Sequence, residues 1–453
     1  MRKLLLSVIL VAGVAVSCQR EPSVVAPPDN QSIEDVTSEY AISEEEALAR
    51  LDSFMAQFEG ATRSTSRRVR SINPVSYEDV HVGTRSSEEL DVENLLYIVE
   101  FEDGQGSAII GADERVEPVY AVLDETVLTI EDFNNAANGT NTDDIRTFTA
   151  GMIAETASLD FSSIPIGPPT PITPPDDFDT HIIYSEYVKT VTQEILPMLT
   201  TKWRQGLPYN SAFPPEYDAV YGLYTPSVGC GTIAVAQVLA YNARPVNQIL
   251  LNGEIFYWSI IRQNNILAGN NLLDSTKDHL YRFLYALTES MDPTYTPDGT
   301  IIIPNESVKM FRQCGYKNVN YVDFTENLAR NMVLSNLPFY IYGRDTNGTA
   351  TNYNDDDEHA WVIDGLRDVR TDAYQVVEDN GEIISRTLTY STLASYLHCN
   401  YGWGGNCDGY YICGIFDTTQ RLDDEYIENE YGDIPDTMIG DFVSDISIIT
   451  YTL

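Results

Sequence analysis

The sequence predicts an α+β protein in two parts, a small α+β unit followed by a larger one that carries the chemistry. Three observations point there. A stretch of helical periodicity is followed by short strand-like runs in the first third of the chain, and a proline-rich segment then interrupts it. Beyond the interruption a helix opens at a cysteine, with strand-like runs around a histidine and a glycine-rich turn further on. At 453 residues the chain is too long for one ordinary domain and long enough for two packed cores. A hydrophobic fraction of 43% and an aromatic fraction of 11% are globular values, and 29 tyrosines suit strand-rich structure.

The N-terminus sets the compartment. Arg2 and Lys3 precede the apolar run Leu4 to Val16, too short to span a bilayer and suited to a signal peptide. Ala15-Val16-Ser17-Cys18 resembles a bacterial lipobox, with Cys18 as the lipidated residue. Ala15 stands where leucine is more usual, and ordinary secretory cleavage near Ser17 is the alternative. Residues 1–18 are therefore expected to be a lipoprotein-type signal peptide, and the polar residues 19–40 a flexible tether. The chain is therefore expected to be exported from a bacterial cell, as an outer-membrane or cell-surface lipoprotein that meets the membrane only through that anchor, or as a form released after processing. A net charge of -41 excludes nucleic acid as a partner, because phosphate binding needs clustered Lys and Arg.

Residues 41–160 read as the small α+β domain. Ser43 and Glu46 form a capping box, and Ala47, Leu48, Leu51, Phe54, Met55 and Phe58 recur at helical spacing up to Gly60. ATRSTSRRVR, residues 61–70, is a basic stretch in an acidic chain, expected as a mobile loop open to trypsin-like cleavage. LLYIVEF, GQGSAIIGAD and VEPVYAVLD then suggest an antiparallel meander. This unit has no cysteine and one histidine, His81, so it carries no chemistry of its own. Six prolines between Ile164 and Asp179 exclude helix and central strand. Residues 161–190 are thus a linker and maturation region, and 191–453 the catalytic part.

Cys230 lies in PSVGCGTIAVAQVLAYN, between Gly229 and Gly231, directly before a helical run. A thiol at a helix N-terminus faces free N–H groups and the positive end of the helix dipole, which stabilise a thiolate. His359, in DDDEHAWVIDGLRD, opens a strand-like run 129 residues later, and a histidine is what must deprotonate the thiol and protonate a leaving amine. Carboxylates from Asp355 to Glu358 would favour its charged form. In LHCNYGWGGNCDGYY, Asn400 can orient an imidazole and Trp403 shield it, while Gly402, Gly404 and Gly405 allow a tight turn between strands. His398 and Cys399 point to opposite strand faces. His398 shares a face with Asn400 and stays a second candidate for the base. In TTKWRQGLPYN, Gln205 could donate to an oxyanion alongside the Cys230 N–H.

Together these stretches resemble the streptopain family of bacterial cysteine peptidases, in the family's order, over residues 195 to 416. Residues 41–160 resemble its inhibitory propeptide domain. The resemblance implies an α+β fold: a papain-like cysteine peptidase domain, with a helical part and an antiparallel sheet part, preceded by a small α+β propeptide domain. It implies Cys230 as nucleophile, His359 as general base and acid, Gln205 as oxyanion donor, and Asn400 and Trp403 as orienting and shielding groups. It also implies a zymogen, cleaved between about 150 and 195, with protein or peptide substrates and the propeptide as intramolecular inhibitor. An apolar residue before the scissile position is the implied preference. Tyr401 stands where the family usually has tryptophan, a departure expected to soften histidine positioning or to change a subsite, and Gly229 and Gly231 are expected to clear space for substrate backbone. Cys407 and Cys413 are unusual near the site, and Cys399 with Cys407 could form a disulfide or stay as thiols. The remaining cysteines lack the CxxC pairs of a zinc site, so neither metal nor cofactor is expected. A catalytically silent surface lipoprotein with the same fold is the alternative. No GxSxG, HExxH or P-loop is present.

Overall fold

The structure, a computed structural model, describes residues 40–58, 67–80, 94–114, 116–140, 144–162, 181–264, 273–344, 358–379, 382–416 and 445–453. Cys18, the signal peptide, residues 19–39 of the tether, Gly60, His81, Ile164–Asp179 and Asp355–Asp357 lie outside the described residues. Residues 38–453 make one compact unit.

Helix α1, Glu44–Phe58, starts where Ser43 Oγ accepts the Glu46 N–H at 3.2 Å, and it buries Ala47, Leu51, Phe54, Met55 and Phe58 as the periodicity predicts. The expected meander follows as β2 (Asn94–Phe101), β3 (Ser107–Gly111) and β4 (Ala121–Leu123), all antiparallel. An earlier strand, β1 (Val69–Ser76), pairs with β2 at the sheet edge, followed by a single turn of helix, α2 (Tyr77–Val80). The end of the basic stretch is therefore not a loop. The Arg67 guanidinium donates to the Gln105 and Leu123 carbonyls and stacks over Phe101, so its apolar stem and charge are both used. Helix α3 (Ile130–Ala137) is closed by a Thr129–Asp132 capping box. Helix α4 (Ile145–Ser162) is buried from Ile145 to Ala157 except at Arg146, with Phe148, Met152, Ile153 and even Thr147 and Thr149 hidden.

The chain resumes with β5 (His181–Ile195), so the end of the expected linker is a strand. Three small hairpins, β6–β7 (Glu216–Asp218, Gly222–Tyr224), β8–β9 (Gln248–Leu251, Glu254–Tyr257) and β10–β11 (Thr294–Tyr295, Thr300–Ile301), decorate the helical part. That part comprises α5 (Cys230–Asn242), the short α6 (Trp258–Ile261), α7 (Asp274–Glu289), α8 (Pro304–Gln313) and α9 (Glu326–Leu334). The sheet part comprises β12 (Lys317–Asp323), β13 (Phe339–Arg344), β14 (Glu358–Asp379), β15 (Glu382–Asn400), β16 (Gly409–Ile412) and β17 (Asp445–Thr452). Helix α5 is apolar on every side and packs on β14, which places the start of the helix beside the start of that strand.

The α+β class stands, with all strand pairs among the described residues antiparallel. The two parts do not keep separate cores, however. Ala121–Leu123 of β4 pair with Gly409–Tyr411 of β16, so one sheet runs through both: β1-β2-β3-β4-β16-β15-β14-β13-β17-β12. β5 takes the stretch of β14 edge beyond β13. Pairing exposed edges in this way satisfies backbone N–H and C=O groups that would otherwise need water. Buried residues of both parts form a single cluster.

Candidate active site

Four segments converge. Residues 203–205 are fastened to the loop before Cys230 by the Val228 N–H on the Gln205 carbonyl at 2.9 Å, and to the glycine turn by Gly404 N–H on the Trp203 carbonyl at 3.0 Å. Arg204 also bridges to Trp403 as an isolated strand pair. The turn can press this closely because Gly402 has φ 70, and a Cβ there would lie 2.6 Å from the Ile233 side chain on α5.

Cys230 is the first residue of α5. Gly229 before it has φ 88, which favours glycine, and a Cβ would sit 2.6 Å from the Thr300 carbonyl. A Cβ on Gly231 would lie 3.1 Å from Ile302 Cβ. Both glycines thus make room for the chain's own 300–302 segment, where clearance for substrate backbone was expected. Burial pushes the Cys230 thiol up to about 11, against the backbone N–H groups of Ala360, Gly231 and Cys230 itself. The helix start does supply donors, but desolvation of the charged form outweighs them, and the thiol is protonated at neutral pH.

His359 is equally uncharged. Burial lowers its pKa to about 4, opposed by the hydrogen bond to Tyr401. The Glu358 carboxylate, expected to favour imidazolium, instead accepts the Tyr342 hydroxyl. Nε2 of His359 donates to the Tyr401 carbonyl at 3.0 Å, which leaves Nδ1 as the basic nitrogen of the neutral ring. Aromatic rings enclose it: Trp361 and Tyr401 stack at 6.0 Å each, and Trp403 stands edge-on at 6.3 Å. The fourth wall comes from the N-terminal part, where Phe148 of α4 meets the imidazole at 5.8 Å and Trp361 at 5.9 Å. Among the described residues no hydrogen bond joins the Cys230 thiol to this ring.

The other expected residues divide. Trp403 lies against His359 as expected. Asn400 does not touch the imidazole: its Nδ2 donates to the Thr201 carbonyl at 2.8 Å, and its Oδ1 accepts from Gln237 at 3.0 Å and from Gly402 N–H at 3.2 Å. The Tyr401 main chain makes the bond that was expected of Asn400. Tyr401 itself is fully buried, its ring stacked on Trp361 at 5.4 Å, so its side chain is a wall and not a surface for substrate. Gln205 is half-buried beside the Cys230 loop. Cys314, Cys399, Cys407 and Cys413 are all free thiols.

His398 belongs to a different cluster. Its Nδ1 lies 2.6 Å from Asp364 Oδ1 and its Nε2 3.4 Å from Asp124 Oδ2 in the N-terminal part. Burial would depress its pKa, but the Asp364 and Asp124 carboxylates prevail and raise it to about 10. A histidine that is doubly paired and keeps its proton at neutral pH cannot serve as a base there. Around it Arg67 reaches Asp124 at 3.7 Å and Lys202 reaches Glu125 at 2.8 Å.

Residues 203–411 match the model of the Peptidase C10 family. These residues form a Peptidase C10 domain. The match runs from Trp203, in the first of the expected stretches, to Tyr411, at the end of the last. It takes in Cys230, His359 and the glycine turn of the C10 domain. Among solved structures, the chain is similar to a cysteine-to-alanine mutant of a prointerpain A fragment of Prevotella intermedia. Identity is 16%, over 85% of this chain and 98% of that one, with a TM-score of 0.47. It is also similar to active wild-type interpain A cysteine protease of the same organism, at 20% identity over 49% of this chain and 87% of that one, with a TM-score of 0.33. No curated protein matches it.

Two contributors escaped the sequence reading. Phe148 sits in a helix with no polar face, so no periodicity marked it. Gln237 was legible as a polar residue inside an apolar helix two turns after Cys230, but its partners are distant in the chain.

Proposed function

We propose that the chain is an exported cysteine endopeptidase made as a zymogen, tethered by lipid on Cys18 and acting on proteins or peptides. The observation that carries this reading is the fixed imidazole. Within the C10 domain, the His359 Nε2 proton is held by the Tyr401 carbonyl at 3.0 Å, leaving Nδ1 to serve a cysteine at the start of a helix that packs on the same strand.

The reaction follows from those groups. Nδ1 takes the Cys230 proton, and the thiolate attacks a peptide carbonyl carbon, forming a C–S bond. The oxyanion is held by the Cys230 N–H and the Gln205 amide. His359 then gives its proton to the amine as the C–N bond breaks. Water, deprotonated by Nδ1, splits the thioester, releases the acid and restores the thiol.

The N-terminal part keeps this machinery idle. It covers His359 with Phe148, continues the peptidase sheet through β4 and β16, and leaves His359 buried, Cys230 half-buried and both groups neutral. Cleavage between about 150 and 195 would remove the cover. The test is labelling by an epoxysuccinyl inhibitor. The processed protein should be labelled stoichiometrically and hydrolyse casein, and Cys230→Ala should lose both. A processed protein that binds no inhibitor would make the chain a silent lipoprotein of peptidase fold.

A further inference from the structure

The Cys230 helix carries a fully buried amide side chain with three-way consequences. Gln237 lies seven residues after Cys230, two helical turns along α5, with no exposed surface. Its Oε1 accepts the Thr201 hydroxyl at 2.6 Å, and its Nε2 donates to Asn400 Oδ1 at 3.0 Å. Asn400 closes the ring by donating Nδ2 to the Thr201 carbonyl at 2.8 Å. The amide orientations are fixed by main-chain groups, since the Gly402 N–H must meet an oxygen and the Thr201 carbonyl must meet an N–H. Gln237 is therefore obliged to present its NH₂ to Asn400. Thr201, Gln237 and Asn400 are all buried, so no water competes for these bonds.

Resting on the peptidase reading above, we infer that Gln237 is a positioning residue that locks the nucleophile's helix to the turn orienting the histidine. Asn400 is followed directly by Tyr401, whose carbonyl takes the His359 Nε2 proton. Cys230 and the acceptor that aims His359 are thus held in register through one amide. The structure gives Asn400 a supporting role here, as the link between Gln237 and the Tyr401 main chain. A bond of this kind does not touch substrate. Its value is in holding two reacting groups within the small tolerance that proton transfer requires, where a shift of about 1 Å can cost on the order of 100-fold in rate.

Gln237→Met keeps the length and apolar bulk of the side chain while removing the acceptor and the donor. Activity is read as kcat per inhibitor-titrated site, so unfolded molecules do not count. We expect a loss of roughly 10- to 100-fold in kcat with KM changed less than about threefold. The double variant Gln237→Met/Asn400→Ala should lose no more than Asn400→Ala alone, because both act through one chain of bonds. Gln237→Glu should be impaired at neutral pH and recover as the buried carboxyl takes a proton, since only the acid form can donate to Asn400. A second readout does not need catalysis. In the Cys230→Ala protein, the His359 Nε2–H proton should be visible by NMR, and Gln237→Met should speed its exchange at least tenfold. A folded Gln237→Met enzyme within twofold of wild-type kcat, additive losses in the double variant, or unchanged exchange of the His359 proton would each overturn the assignment. Failure of wild type to bind inhibitor would count against the peptidase reading, and the exchange measurement would then decide the role of Gln237 alone.

Discussion

Trimming Phe148 to alanine is expected to raise the rate at which the unprocessed chain is labelled at Cys230 by at least tenfold. The ring closes the His359 pocket from the N-terminal side, 5.8 Å from the imidazole and 5.9 Å from Trp361. It is almost wholly buried, so its loss leaves a cavity next to the His359 ring and costs about 3–5 kcal/mol of packing between the two parts. Water entering that space would solvate an imidazolium, which burial now disfavours. Phe148→Leu, which fills more of the cavity, should give a smaller rise. Both variants must first be checked for a cooperative melt. A folded Phe148→Ala protein as unreactive as wild type would show that the cover over His359 does not keep the enzyme latent.

The second large effect concerns stability. His398→Leu should cost about 3–5 kcal/mol, because it leaves the buried Asp364 carboxyl without its 2.6 Å imidazole partner. Among the described residues, the Asp364 carboxyl would keep only the Leu199 N–H at 2.8 Å. The pH dependence follows from the direction of the shift. The His398 pKa is raised from 6.5 to about 10 in the folded chain, so its contribution is fully present below about 6.5 and lost as pH rises through 10. Asp364 and Asp124 oppose that loss directly. Asp408, which burial pushes up to about 7 against the influence of His398 and the Tyr401 N–H, adds a negative neighbour above that pH. Urea unfolding at pH 6 and pH 10 should therefore show a wild-type decline that His398→Leu lacks. Equal slopes for both proteins would mean that the cluster does not stabilise the fold. Because Asp124 lies in the N-terminal part, the same cluster also holds the two parts together.

Much of this was legible in the sequence where the cause is local. The capping box and apolar spacing gave α1, alternating apolar runs gave β2 to β4, and the glycine pattern gave the turn after Asn400. Cys230, His359 and Trp403 were named from motif and spacing, and their segments do meet. What the sequence hid depends on contacts far apart in the chain. Helix α4 has threonines and apolar residues around most of its circumference, since it is buried from Ile145 to Ala157 except at Arg146, and so carries no helical period. Strand β1 is polar and contains Pro74, which only an edge strand tolerates. The union of β4 with β16 uses main-chain bonds, which no side-chain pattern records. The same holds for Tyr401, whose side chain was read as a subsite while its carbonyl orients the histidine. The charge states were also misread, because helix position was weighed without the burial that reverses it.

The measurement that bears most directly on the whole account is the ionisation of Cys230 before and after processing. Thiolate absorbance, taken as the difference between wild type and Cys230→Ala, isolates this one sulfur among the free thiols. In the unprocessed chain the account predicts a pKa of about 11, set by burial. After cleavage and loss of the N-terminal part it predicts a fall to about 7 or below, as an exposed His359 pairs with the thiolate at the helix start. A thiol that still titrates above 10 in the processed protein, or one already ionised at neutral pH in the unprocessed chain, would contradict it.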